Sequence, residues 1–325
     1  MKALVTGASG FVGYWVAKKL QETGHSVKVL VRQLPSHLKD MPVDVVYGDI
    51  RDKESLKQAL QGCNHLYHVA AHYRLWEKDP KIFYDINVEG TRNLMEIAAQ
   101  MNLEKIVYTS SVAAIKIVPG KVPSTEENEA GIEDMIGDYK KSKYLAEMVV
   151  REMAQDGLPV VIVNPSAPVG AYDVKPTPTG KIILDFLQGK MPAYLETGLN
   201  LVDVEDVAIG HILAAQKGQI GKRYILGNQN LRLIEILEIL AKISGKKAPK
   251  IRMPYWIAYS AGKVSELLAR CTGKEPAIPL DGVRMAKKFM FFDSSLAKQE
   301  LGYNPGSVEN ALEKAVTWFQ KNNYV

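Results

Sequence analysis

The sequence predicts an α/β fold, a doubly wound parallel sheet joined to a smaller, mostly helical C-terminal lobe. Two observations carry that prediction. From Lys2 to Val163, short apolar runs alternate with segments of helical period, the pattern of a parallel sheet covered by helices on both faces. After a proline-rich exit from Asn164 to Gly170, the alternation gives way to mostly helical stretches.

Composition narrows the class of protein. The 325 residues are 46% hydrophobic and 24% charged, ordinary for a globular chain and enough for two lobes sharing a core. A formal charge of +5 suits an anionic ligand, but no long basic run points to nucleic acid. Cys63 and Cys271 are too few for a disulfide framework and too isolated for a zinc site. The N-terminus lacks a signal-peptide pattern and no apolar run is long enough to span a bilayer, so a cytoplasmic protein is expected.

Lys2 to Thr6 reads as a buried strand, and Gly7-Ala8-Ser9-Gly10-Phe11-Val12-Gly13 follows it directly. Val12, Trp15, Val16, Lys19 and Leu20 then recur at helical spacing, with Gly24 closing the helix. A strand, a glycine turn and a helix in that order form a phosphate cradle of the Rossmann type. Gly7, Ser9 and Gly10 allow a pyrophosphate to approach the backbone, Gly13 allows close packing, and Phe11 and Val12 open the helix whose amides face the phosphates. A mere tight connection is the alternative.

Ser26 to Val31 is the second strand, ending at Arg32 where an acidic residue would bind an adenosine ribose. Arginine there, with Lys39 in the next loop, favours a 2′-phosphate and hence NADP(H) over NAD(H), with a solvated loop arginine as the alternative. A third strand, Val43 to Tyr47, leads to Asp49 and Ile50, which are positioned for the adenine; capping of the helix near Lys53 to Leu60 is the other role open to Asp49. His65 to Ala70 is the fourth strand, with Ala70 and Ala71 small enough for a cofactor to pass. His65 and His68 point to opposite faces of a strand, so no metal is expected. The loop His72-Tyr73-Arg74-Leu75-Trp76 offers His72, Arg74 and Trp76 as substrate contacts, with a loop packed on its own aromatics as the equal alternative. Asn87 opens a helix reaching about Gln100.

Ile106 to Ser111 ends in Thr109, Ser110 and Ser111 at the sheet edge where ligands of such folds bind. These hydroxyls serve either a ligand or a capped turn. A helix follows, running to about Ala154. In it Tyr139 and Lys143 stand one turn apart on one face, where an ammonium would lower the pKa of the phenol. Val160 to Val163 then leads into Pro165, Ser166 and Pro168 at the same sheet edge. Later segments read as a helix near Ile182 to Leu187, a strand from Asn200 to Val204, a helix from Glu205 to Gln216 and a short strand from Tyr224 to Leu226. Helices near Leu233 to Ser244, Tyr255 to Cys271 and Val308 to Gln320 complete the chain. Trp256, Ile257 and Leu268 read as a face packed into the lobe core, with membrane contact as the rarer meaning.

Together, Thr6-Gly7-x-x-Gly10-Phe11-Val12-Gly13, Asp49-Ile50, Asn87-Val88-x-Gly90-Thr91, Ser110-Ser111 and Tyr139-x-x-x-Lys143 resemble the extended short-chain dehydrogenase/reductases. Val31-Arg32 and Tyr108 to Ser111 are similar to the dihydroflavonol 4-reductase branch. Tyr73 to Trp76, Glu133 to Gly137, Asn164 to Ser166, Lys175 to Gly180, Met191 to Tyr194 and Asp281 to Ala286 resemble proteins called hopanoid-associated sugar epimerases. The resemblance implies residues 1–168 with about 203–227 as nucleotide-binding domain, and about 169–202 with 228–325 as substrate lobe. It implies hydride transfer at a carbinol or carbonyl carbon of a small-molecule substrate, with Ser111, Tyr139 and Lys143 catalytic, or else epimerisation or dehydration with a retained cofactor. A non-catalytic, cofactor-sensing role is the third reading, and a monomer or homodimer is expected. One departure concerns the sugar: the run Thr197 to Asp203, ahead of Val204-Glu205-Asp206-Val207-Ala208, lacks the arginine that nucleotide-sugar epimerases place there. Arg74 or Arg223 would have to supply that cation.

Overall fold

The computed structural model describes residues 1–325. In chain order its first part contains β1 (Lys2–Thr6), α1 (Phe11–Glu22), β2 (Ser26–Val31), β3 (Asp44–Tyr47), α2 (Lys53–Leu60) and β4 (His65–His68). Next come α3 (Lys81–Tyr84), α4 (Gly90–Ala99), β5 (Lys105–Thr109), α5 (Gly137–Gln155) and β6 (Val160–Pro165). A π-helical turn, Asp85–Glu89, joins α3 to α4, so Asn87 sits ahead of the regular helix and not at its start.

The later part comprises β7 (Ala167–Val169), α6 (Pro178–Leu187), β8 (Ala193–Tyr194), β9 (Gly198–Asp203), α7 (Val204–Lys217) and β10 (Arg223–Leu226). It continues through β11 (Gln229–Arg232), α8 (Leu233–Ser244), β12 (Ile251–Arg252), α9 (Tyr255–Thr272) and α10 (Leu280–Met285). β13 (Phe289–Met290), α11 (Ser295–Leu301) and α12 (Val308–Lys321) end the chain.

Seven parallel strands form the central sheet in the order β3-β2-β1-β4-β5-β6-β10. The doubly wound expectation therefore holds. Winding reverses between β1 and β4, and this switch point opens a crevice at the carboxyl ends of the strands. Within β1, Ala3 and Val5 enter the core beneath α1 and α7, whereas Leu4 enters the core beneath α2, α4 and α5. Successive strand residues face opposite sides, and both sides are apolar because both are covered.

A third core holds the later part together, with Ile183 and Phe186 of α6, Leu237 and Leu240 of α8, and Leu312 and Phe319 of α12. Around it lies a second sheet centred on β9, which pairs antiparallel with β11 on one edge and parallel with β7 and β13 on the other. One expectation fails here. Trp256, Ile257 and Leu268 of α9 are not in a lobe core; they are 69%, 39% and 59% exposed.

Candidate active site

The crevice begins with the turn after β1. Gly7 has φ +77°, and a Cβ on it would lie 2.6 Å from the amide nitrogen of Ala70. A Cβ on Gly13 would lie 2.1 Å from the carbonyl oxygen of Gly7, so α1 can sit against β1 only with glycine there. Gly10 differs: its Cβ would meet only that oxygen, at 3.3 Å, and otherwise open space. Gly10 caps α1 without a side-chain hydrogen bond, and the first turn of the helix carries no acid. Ser9 and Gly10 are exposed, Phe11 and Gly13 are buried and Val12 is half-buried, so the free amides of α1 face the crevice mouth.

A buried polar relay supports this turn. His68 bonds the Thr6 hydroxyl at 2.8 Å through Nδ1 and the Thr91 hydroxyl at 2.9 Å through Nε2, while the Ala70 amide donates to Thr6 at 3.2 Å. Burial, with Lys143 nearby, holds the His68 imidazole neutral, its pKa pushed down to about 3. Ala70 is half-buried and Ala71 exposed on the path across the sheet. Asn87 fixes the adjoining loop by accepting from the His72 amide at 2.6 Å and donating to the Ser142 hydroxyl at 2.9 Å.

At the far end of β2, Arg32 and Lys39 are both exposed. Asp49 does not cap α2, a task performed by Asp52. Its carboxylate is instead gripped by Arg51 at 2.9 and 2.7 Å, which holds it below the usual carboxylate range despite partial burial. Ile50 is buried against Gly90 of α4.

The residues expected to carry the chemistry meet at the end of β5. Thr109 is corrected from a ligand hydroxyl to a structural one: it bonds His211 of α7 at 2.8 Å, and only its carbonyl faces α5. Ser111 caps the 3-10 turn Val112–Ala114 by accepting from the Ala113 amide, and its hydroxyl also borders the Tyr139 phenol. Ser110, Ser166 and Asn164 each keep a buried side-chain oxygen with no protein partner. Pro165 ends β6, Ser166 donates its amide to Leu226, and Pro168 lies in β7.

Lys143 does not act as the spacing alone suggests. Its ammonium, 2% exposed, donates to the Thr109 carbonyl at 2.7 Å and approaches the Tyr108 hydroxyl at 3.4 Å. Burial pushes its pKa down to about 8, with Glu147 acting the other way. Burial likewise pushes the Tyr139 phenol up to about 12, opposed by the Ser111 hydroxyl. The expected lowering of the phenol is absent because burial of the phenol itself dominates. Tyr139 is thus held protonated at neutral pH.

A cleft of about 360 Å³ opens beside Tyr139. Trp76, Leu75, Phe83 and Ile136 line it, and α9 and α10 close it with Glu266, Arg270, Asp281 and Met285. Gly137, at φ +79°, lets Asp281 approach to 2.3 Å of where a Cβ would stand. Of the three residues expected at the substrate, only Trp76 lines this cleft. His72 and Arg74 both pair with Glu77 instead, at 2.8 and 3.4 Å. Arg223 is also unavailable to a ligand, since it is buried and bonded to Glu147 at 3.0 Å. The cleft residues of α9 were invisible to motif reading, whereas Ile136, Asp281 and Met285 lie in stretches that the resemblance had singled out.

Fold and crevice define a dinucleotide-dependent enzyme. The chain belongs to the NAD dependent epimerase/dehydratase family, whose model matches residues 3–227. It is similar to a Synechocystis protein that carries the name dihydroflavonol 4-reductase, 47% identical over 327 residues covering 99% of this chain and 95% of that one. Sterol demethylase protein B of Methylococcus capsulatus is 32% identical over 329 residues, all of both chains. The crystal structure of gox2253 is 45% identical and superposes with a TM-score of 0.89 over 99% of each chain.

Proposed function

We propose that the enzyme reduces a ketone or aldehyde with NADPH, or runs the reverse oxidation. The observation that carries this reading is a protonated Tyr139, bordered by Ser111, beside a cleft that sets Leu75, Trp76, Phe83 and Ile136 among charged side chains. Tyr139 holds the proton that a developing alkoxide needs, and Ser111 donates a hydrogen bond to the same oxygen. Lys143 faces the end of β5, where its charge would hold ribose hydroxyls and steady the phenol. When bound, the nicotinamide supplies or accepts the hydride.

The residues present fit that cofactor. The uncapped amides of α1 and the open space at Gly10 suit a pyrophosphate, with Ser9, Phe11, Val12 and Gly13 framing it. Ala70 and Ala71 leave room along the sheet, Asp49 and Ile50 border the adenine end, and the unpartnered Ser110 and Ser166 hydroxyls lie toward the nicotinamide end. Exposed Arg32, with Lys39, favours the 2′-phosphate of NADP. Residues 1–168 with 203–227 form the nucleotide-binding domain in this reading, and the rest forms the lobe that selects substrate.

An epimerase or dehydratase that retains its cofactor is the second reading. It is favoured by Asp138 and Asp281 at the cleft, which offer a further acid or base. Against a nucleotide sugar stand the missing arginine before Val204 and the commitment of Arg223 to Glu147.

Incubation with NADPH and a panel of ketones and aldehydes, a dihydroflavonol among them, separates the readings. A reductase oxidises one NADPH per alcohol formed, whereas an epimerase shows no net oxidation. Tyr139→Phe is expected to lower turnover by about 10²–10⁴-fold while NADPH affinity is kept. Turnover at the wild-type rate in that variant would remove Tyr139 from the proton transfer, and tighter binding of NAD than of NADP would refute the role of Arg32.

A further inference from the structure

Helix α9 has two faces that do different work. At about 100° per residue, Ala258, Gly262 and Ala269 share one side, and these are the buried residues of the helix. Trp256, Ile257, Ser260, Val264, Leu267 and Leu268 share the opposite side. On that outward side Trp256, Val264, Leu267 and Leu268 are 69%, 58%, 63% and 59% exposed. The usual arrangement of a surface helix is therefore inverted, with apolar groups toward solvent. A shallow apolar groove between Val264, Leu268 and Ile278 continues the patch.

The segment that carries this patch is predominantly basic. Residues 245–274 contain seven basic residues, Lys246, Lys247, Lys250, Arg252, Lys263, Arg270 and Lys274, and one acid, Glu266. All seven basic residues are exposed. Of the 41 basic and 36 acidic residues in the chain, the remainder holds 34 and 35, so the net positive charge of the protein resides in this segment. No helix is long and apolar enough to cross a membrane.

We propose that α9 and the preceding basic segment form a peripheral docking face for an anionic lipid bilayer. Trp256, Leu267 and Leu268 enter the boundary between headgroups and acyl chains, while the lysines and arginines meet lipid phosphates. A second copy of the chain is a poorer occupant, because two such faces would oppose like charges. Glu266 and Arg270 of the same helix line the cleft beside Tyr139, so docking brings the cleft mouth to the lipid surface. The proposal stands whichever reaction the cleft performs.

The test is co-sedimentation of the full chain with vesicles of phosphatidylcholine alone and with about one third phosphatidylglycerol. Binding is expected on the anionic vesicles, reduced about tenfold on the neutral ones or at about 0.5 M NaCl. Leu267→Glu with Leu268→Glu, and separately Lys246→Glu with Lys247→Glu and Lys250→Glu, should each lose most of this binding. Their melting temperatures and NADPH affinities should match the parent. Absence of binding to anionic vesicles, or equal binding by the variants, overturns the proposal. So does a concentration-dependent dimer that the leucine variant dissolves while vesicle binding stays absent.

Discussion

At the residue scale, the pair Tyr139 and Lys143 is governed by burial. With its phenol near 12, Tyr139 remains an acid throughout the working range and gives no titration limb of its own. Lys143, pushed down to about 8, is charged below that pH and neutral above it. If its charge holds the cofactor, kcat/KM for NADPH should be level near pH 6–7 and fall about tenfold per unit above pH ~8. Lys143→Arg should remove the limb even at reduced rate, since guanidinium stays charged. A wild-type profile level to pH ~10 would detach Lys143 from cofactor binding. The same shift has a stability consequence. Between about 8 and the ordinary lysine value of 10.5, the unfolded chain binds the proton that the folded chain has lost. Stability from this group therefore rises with pH across that window, and below it the buried charge carries its full cost.

At the scale of elements, three glycines in one turn do separable tasks. Gly13→Ala forces a Cβ to 2.1 Å from the Gly7 carbonyl, so α1 must move off β1. A loss of about 1–3 kcal/mol in urea unfolding is expected. Gly10→Ala meets only one contact, at 3.3 Å, and should cost less stability. It should nevertheless weaken NADPH binding by at least about tenfold, because its methyl occupies the approach of the pyrophosphate. Unchanged affinity in Gly10→Ala would refute the cradle. This turn was legible in the sequence because strand, turn and helix are contiguous, and β1 and β2 were legible to the residue because strands buried on both faces read as mostly apolar runs, broken in β2 only by Lys28. β8, β11 and β13 were not, since each is two to four residues long and pairs with a partner distant in sequence. Side-chain commitments were equally hidden: nothing in the spacing tells that Thr109 faces His211 or that Asp49 turns to Arg51. For α9 the apolar stripe was readable, but whether a neighbour covers it depends on packing that helical periodicity cannot encode.

At the scale of the whole molecule, the late strand β10 reaches the active site through buried charge. Arg223 of β10, 8% exposed in its side chain, donates to Glu147 of α5, which is fully buried. Glu147 also accepts from Asn164 of β6 at 2.8 Å, and the same amide group donates to the Ser111 carbonyl at 2.9 Å. Arg223 further donates to the Glu126 carbonyl, tying down the segment between β5 and α5. The edge strand, α5 and the Ser111 loop thus share one polar chain. A buried pair of this kind adds little net stability over apolar replacements, but removing one partner strands the other. Glu147→Leu should therefore destabilise by about 3–5 kcal/mol, and Glu147→Leu with Arg223→Met should regain most of it. Urea titrations of both variants measure this coupling, and a single variant within about 1 kcal/mol of the parent would show that the pair is not structural. In the double variant stability returns while Asn164 still lacks its carboxylate acceptor. Turnover should then stay reduced at near-normal NADPH affinity, since the misplaced group is Ser111 and not the cofactor cradle. Recovery of both stability and rate would instead confine Glu147 to holding β10 against α5.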